Sequence, residues 1–123
     1  MLCWIEVDLD AIAANVRALQ AAAEPRQGVT AVVKAQAYGL GAHAVAQAAV
    51  DAGARGAAVA RVSEGRRMRE SGFEKPILLL SGMDADEAAQ IVKLQLTPTL
   101  TTWSSAEALA ENELALVKVH TKT

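Results

Sequence analysis

In the run Ala31-Val32-Val33-Lys34-Ala35-Gln36-Ala37-Tyr38-Gly39-Leu40-Gly41, a primary amine ends an apolar, β-branched segment and meets a glycine-bracketed turn. Placing an ammonium group at the end of a buried strand is costly unless the amine has a partner or a task. Burial favours the neutral amine, and a neutral amine can attack a carbonyl carbon. The two glycines that follow Tyr38 allow a backbone to approach a bound anion closely. Taken alone, Gly39 and Gly41 are weak evidence, because turns commonly use glycine, and a lysine that snorkels to solvent at a strand end is the bland alternative.

Other reactive side chains offer less. Cys3 is the single cysteine, so no disulfide can form within the chain, which fits a reducing compartment. It has no activating neighbour in sequence. His43 and His120 stand apart from any cysteine or carboxylate cluster, a poor case for a metal. His43 reads as a residue that caps or faces solvent, and Trp4 and Trp103 read as packing residues. Arg66, Arg67 and Arg69 read as a solvated helix face. A net charge of −2 with dispersed signs argues against nucleic acid as a partner. No apolar stretch approaches the ~18 residues of a membrane span, and the N-terminus lacks the pattern of a secretory signal, so a cytoplasmic protein is expected.

The elements that must position Lys34 alternate between two periods. Trp4 to Asp8 alternates apolar and polar residues as a half-buried strand does. Leu9, Ile12, Val16 and Leu19 then recur at helical spacing, with Asp8 as a candidate N-cap. Val29 to Ala35 is apolar on both faces, which suits a covered parallel sheet. Helices are expected over 41–52, 63–71, 84–94 and 104–112. Strands are expected over 56–60, 76–80, 96–100 and 114–120. Ser63 is a candidate cap, and Asp84/Glu87 and Ser104/Glu107 have capping-box spacing. Strands alternating with helices imply an α/β fold with a parallel sheet, either doubly wound or a (β/α) barrel. A full eight-fold barrel needs about 200 residues or more. With 123 residues, the expectation is a partial TIM-type barrel cut after about five barrel strands, with open edges that invite association.

The string around Lys34 resembles the pyridoxal-phosphate lysine motif of alanine racemases, Lys-Ala-(Asn/Asp)-Ala-Tyr-Gly-His-Gly. The resemblance extends to Trp4-Ile5-Glu6-Val7-Asp8-Leu9-Asp10-Ala11-Ile12, to Ser63-Glu64-Gly65 with Arg69 and Gly72, to Pro76-Ile77-Leu78, to Leu96-Thr97-Pro98-Thr99 and to Val117-Lys118-Val119-His120-Thr121-Lys122. It implies that residues 1–123 are the N-terminal part of a fold-type III barrel that binds pyridoxal 5'-phosphate, without the family's C-terminal β domain. It implies that Lys34 forms the internal aldimine and serves as one of two bases, and that Tyr38 bonds the cofactor phosphate. Alanine is the implied substrate, and a homo-oligomer, a dimer in the family, the implied assembly. The second base would be a tyrosine from the partner subunit's C-terminal domain, and Tyr38 is the only tyrosine here. Lys122 aligns with a lysine that is often carbamylated in the family. Two residues depart from the motif: Gln36 lengthens the usual Asn or Asp, and Leu40 replaces the usual His.

The expectation is therefore an alanine racemase or its N-terminal portion, with the 123 residues alone capturing cofactor but turning over little or no alanine. The alternatives are another fold-type III enzyme of amino acids, and a non-catalytic cofactor-binding or self-associating domain.

Overall fold

The computed structural model describes residues 2–112 and 120–121. Helix α1 (Leu9–Ala22) starts where expected: Asp8 adopts an extended backbone, and its carboxylate accepts the Ala11 N–H at 3.0 Å. Strand β1 (Thr30–Val32) follows, then a short helical segment α2 (Lys34–Tyr38) and helix α3 (Ala42–Asp51). Strand β2 (Gly56–Val59) leads to α4 (Val62–Glu70), and β3 (Ile77–Gly82) to a 3-10 turn (Ala85–Glu87) and α5 (Ala88–Lys93). Strand β4 (Thr97–Leu100) leads to α6 (Trp103–Glu111) and to β5 (His120–Thr121).

The five strands form one sheet in the order β1-β2-β3-β4-β5, and every neighbouring pair is parallel. This sequential order separates the two α/β architectures. A doubly wound sheet reverses its strand order at a switch point, whereas a barrel adds each strand beside the last. No reversal occurs, so the sheet is wound as a TIM-type barrel is. Packing agrees. Ala57, Val59, Ile77 and Leu79 alternate along β2 and β3 and join Ala46, Met68, Ile91 and Leu109 of the helices in one buried cluster. Leu78 and Leu80, on the other face of β3, are only half-buried. The helices thus cover one side of the sheet.

Two close approaches fix the sheet's spacing. A Cβ on Gly56 would lie 2.3 Å from the Pro76 carbonyl oxygen, which accepts the Ala57 N–H. Proline at 98 is tolerated because the β3–β4 register shifts between Leu78 and Gly82, an irregularity of the kind where a missing ladder donor does least harm. Beside it, buried Thr99 donates its hydroxyl to the Leu79 carbonyl.

Several expectations need correction. Residues 4–8 form no strand. Trp4 is 73% and Ile5 79% exposed, because no sheet strand among the described residues lies alongside them. An alternating pattern needs a partner edge to become a strand. Trp103 is exposed as well, with its indole N–H donating to Glu107, and Trp4 donates to Glu6, so neither tryptophan packs in a core. Arg69 is not part of a solvated face: it is half-buried, and its guanidinium bonds backbone carbonyls. Helix α4 is capped at Arg61 rather than Ser63, and α6 at Thr102 rather than Ser104. His43 does not project freely but meets Phe73 edge-on at 6.1 Å. Of the expected last strand, residues 114–119 lie outside the described residues. No described helix is long and apolar enough to cross a membrane.

Candidate active site

The apolar strand expected to run to Ala35 stops at Val32, and Val33 is fully buried as the last residue before the turn. Its N–H still donates to the Ala58 carbonyl, so the chain stays tied to β2 up to the residue before the lysine. Lys34 is half-buried at this C-terminal strand end, the place where barrel enzymes carry their reacting groups.

Beyond Lys34 the backbone does something the sequence pattern did not announce. Ala35, Gln36, Ala37 and Tyr38 all have positive φ, from 51° to 56°, so α2 is one turn of left-handed helix. Its bonds are helical in type: the Ala37 N–H donates to the Val33 carbonyl and the Gly39 N–H to the Ala35 carbonyl. For L-residues this handedness costs about 1–2 kcal/mol per residue. Over four residues the cost approaches the lower end of a domain's total stability, about 5 kcal/mol. Such a turn persists only where its surroundings over-determine it, and functional sites are where this happens. Alanine keeps the clashing Cβ, but Ala35 and Ala37 at least add no branching to it. Ala37 is also buried.

Three further features hold the turn. Gly39 and Gly41 continue with φ of 93° and 96°, and a Cβ at either would meet nothing within 4 Å. Their requirement is therefore conformational, not steric. Gln36, one of the two residues that depart from the motif, accepts the Ala42 N–H on its side-chain oxygen at 3.4 Å and closes the turn onto α3. Glu64, on α4, reaches across from the end of β2: its Oε2 accepts the Ala35 N–H at 2.7 Å, while Oε1 accepts the Ala60 and Arg61 N–H groups at 2.9 and 3.0 Å.

Lys34 opens α2 and Tyr38 closes it, with the left-handed run between them. Tyr38 is 67% exposed, with room for its hydroxyl to meet a ligand. Leu40 is exposed too. The structure thus places Lys34 and Tyr38 at the two ends of one strained turn. Lys122 lies outside the described residues, and no side chain is described for His120. Among the described residues no cluster of histidine, cysteine and carboxylates could hold a metal. Glu64 had no assigned role from sequence. The available signal was a glutamate three residues after an N-cap, a position that commonly bonds backbone N–H groups.

Comparison with known proteins bears on this geometry. The family described as "Alanine racemase, N-terminal domain" matches residues 7–123. The alanine racemase of Synechocystis sp. is 42% identical over 94% of this chain and 32% of its own length. That of Desulfosudis oleivorans is 38% identical over 97% of this chain and 31% of its own. The chain therefore spans about a third of the length of these relatives. Among solved structures, alanine racemase from Bacillus anthracis with bound L-Ala-P superposes with a TM-score of 0.83 at 29% identity, covering 96% of this chain and 31% of that one. Alanine racemase from E. faecalis gives 0.76 at 34% identity, covering 90% and 29%. With its sequential parallel sheet and its lysine at a barrel-strand end, the chain belongs to the alanine racemase N-terminal domain family.

Proposed function

We propose that this chain is the cofactor-binding part of an alanine racemase, with residues 1–123 forming the N-terminal portion of its barrel and Lys34 holding pyridoxal phosphate. The observation that supports this reading most is the left-handed turn that follows Lys34 at the end of β1 and ends on Tyr38. The residues present fit the cofactor: a primary amine for its aldehyde, a phenol for its phosphate, and two open glycines where the ligand can lie against the backbone. When bound, pyridoxal phosphate supplies the electron sink for the substrate α-carbon.

The chain's own residues orient and move protons. Lys34 Nζ takes a proton from, or returns one to, the α-carbon on the face it approaches. Tyr38 would hold the cofactor by donating its hydroxyl hydrogen to the phosphate. The strained turn holds both groups before the ligand arrives, so that little ordering remains to be done on binding. Racemisation also needs a base on the opposite face. Tyr38 is the single tyrosine of the 123 residues and shares the turn with Lys34, so it does not serve there. In the proposed whole protein that base is a tyrosine from the partner subunit's C-terminal domain, in a cytoplasmic homo-oligomer. Lys122 is proposed as a carbamylated lysine; a bicarbonate carbon-13 signal lost in Lys122→Ala tests that.

Titration with pyridoxal phosphate tests the reading. The chain should develop the visible absorption of lysine-bound cofactor, and Lys34→Ala should not. Equal absorption in both proteins would refute the assignment. The same 123 residues should interconvert L- and D-alanine no faster than cofactor in buffer; ready turnover would show that the second base lies within them.

A further inference from the structure

Glu64 is the only side chain among the hydrogen bonds described here that reaches the backbone of α2 from another strand's end. Its two oxygens are divided. Oε1 takes the paired N–H groups of Ala60 and Arg61, which terminate β2, and Oε2 takes the Ala35 N–H, immediately after the lysine. A carboxylate is suited to this because it accepts on both oxygens and donates on neither. The Ala35 bond, at 2.7 Å, falls on the first residue of the left-handed run, where the backbone must leave the strand conformation. Bonds between an ionised acceptor and backbone N–H groups are the stronger kind, suited to offsetting strain of this size.

We infer that Glu64 is a positioning residue: it clamps the end of β1 to the end of β2 through Ala35 and thereby sets the direction of the Lys34 side chain. It touches neither cofactor nor substrate and acts through the turn. The inference rests on the proposed role of Lys34, but its first test does not. Glutamine has nearly the same shape but one acceptor oxygen; kept on the two N–H groups of the β2 end, it turns an NH2 donor toward the Ala35 N–H and leaves that N–H without a partner.

The experiment compares the 123-residue chain with Glu64→Gln, Glu64→Ala and a control, Glu87→Gln. Glu87 likewise accepts a backbone N–H, from Asp84, but after the end of β3 and with no hydrogen bond to the turn. Amide hydrogen exchange without cofactor should show the Ala35 N–H exchanging at least tenfold faster in Glu64→Gln, with the β3 and β4 amides unchanged, and no such change in Glu87→Gln. With pyridoxal phosphate added, the visible band of Glu64→Gln should persist while its induced circular dichroism falls at least threefold, because orientation and not capture is lost. If Glu64→Ala fails to fold, the glutamine variant carries the test. Unchanged Ala35 exchange and unchanged dichroism in Glu64→Gln would overturn the inference. Should the parent chain not take the cofactor on Lys34, the proposed function falls, and Ala35 exchange alone decides whether Glu64 is the clamp.

Discussion

Arg69 makes four hydrogen bonds, all to backbone carbonyls: Nε to Leu94, one terminal nitrogen to Phe73 and Lys75, the other to Gln95. It thus ties together the chain entering β3 and the chain entering β4, at the end of the sheet opposite Lys34. Burial pushes its pKa down from the ordinary arginine value. Arg69→Ala should cost about 2–3 kcal/mol, the scale expected when part-buried carbonyls lose a charged donor. Arg69→Lys should recover only part of this, because an ammonium cannot reproduce the planar fork. Chemical denaturation of both variants checks the order; equal stability of Arg69→Lys and the parent would contradict it. At the other end, Tyr38→Phe should leave capture at Lys34 intact and weaken pyridoxal phosphate binding about tenfold, near the low end for a hydrogen bond to a charged group because Tyr38 is exposed. Unaltered affinity would remove Tyr38 from the phosphate site. Residue type and place at a strand end singled out Lys34 in the sequence, whereas the phosphate role of Tyr38 came only from the family resemblance; Lys34→Ala and Tyr38→Phe test both. The handedness of the turn between the two residues was not legible, since alanine and glutamine give no local signal of positive φ.

The βα elements were legible because each strand carries a buried apolar run and each helix a period or a cap. Val29 to Ala35 was overextended by apolar character alone; the strained turn ends it early. Residues 4–8 misled for the opposite reason, showing a strand pattern without a neighbouring strand among the described residues. Close approaches between elements were invisible in sequence, and two glycines separate their consequences. Gly65→Ala in α4 would gain about 1 kcal/mol of helix propensity. Its Cβ, however, would lie 2.9 Å from both Leu96 methyl carbons, so a net loss of about 1 kcal/mol is expected as Leu96 shifts. Gly56→Ala meets a carbonyl that cannot move aside without breaking the β2–β3 ladder, and should cost about 3 kcal/mol. Thermal melts of the two variants check the ranking; a Gly56→Ala protein as stable as Gly65→Ala would contradict the contact.

At the scale of the molecule, alternation of strands and helices alone allows two architectures; chain length and the family resemblance pointed to the partial barrel, and the strand order bears that out. Sequence pattern carries no information about which strands are neighbours, so the sequential order β1 to β5 had to come from the structure. That order places the C-terminal strand ends, with the Lys34 turn and Glu64, along one rim of the sheet. The account stands on Lys34 being the amine that takes the cofactor. Borohydride reduction of the chain with pyridoxal phosphate, followed by peptide mapping, tests this most directly, because Lys75, Lys93, Lys118 and Lys122 offer competing amines in the same sample. The predicted result is one dominant label, on the peptide containing Lys34, lost in Lys34→Ala. A label spread evenly over the lysines, or unchanged in that variant, would contradict the account.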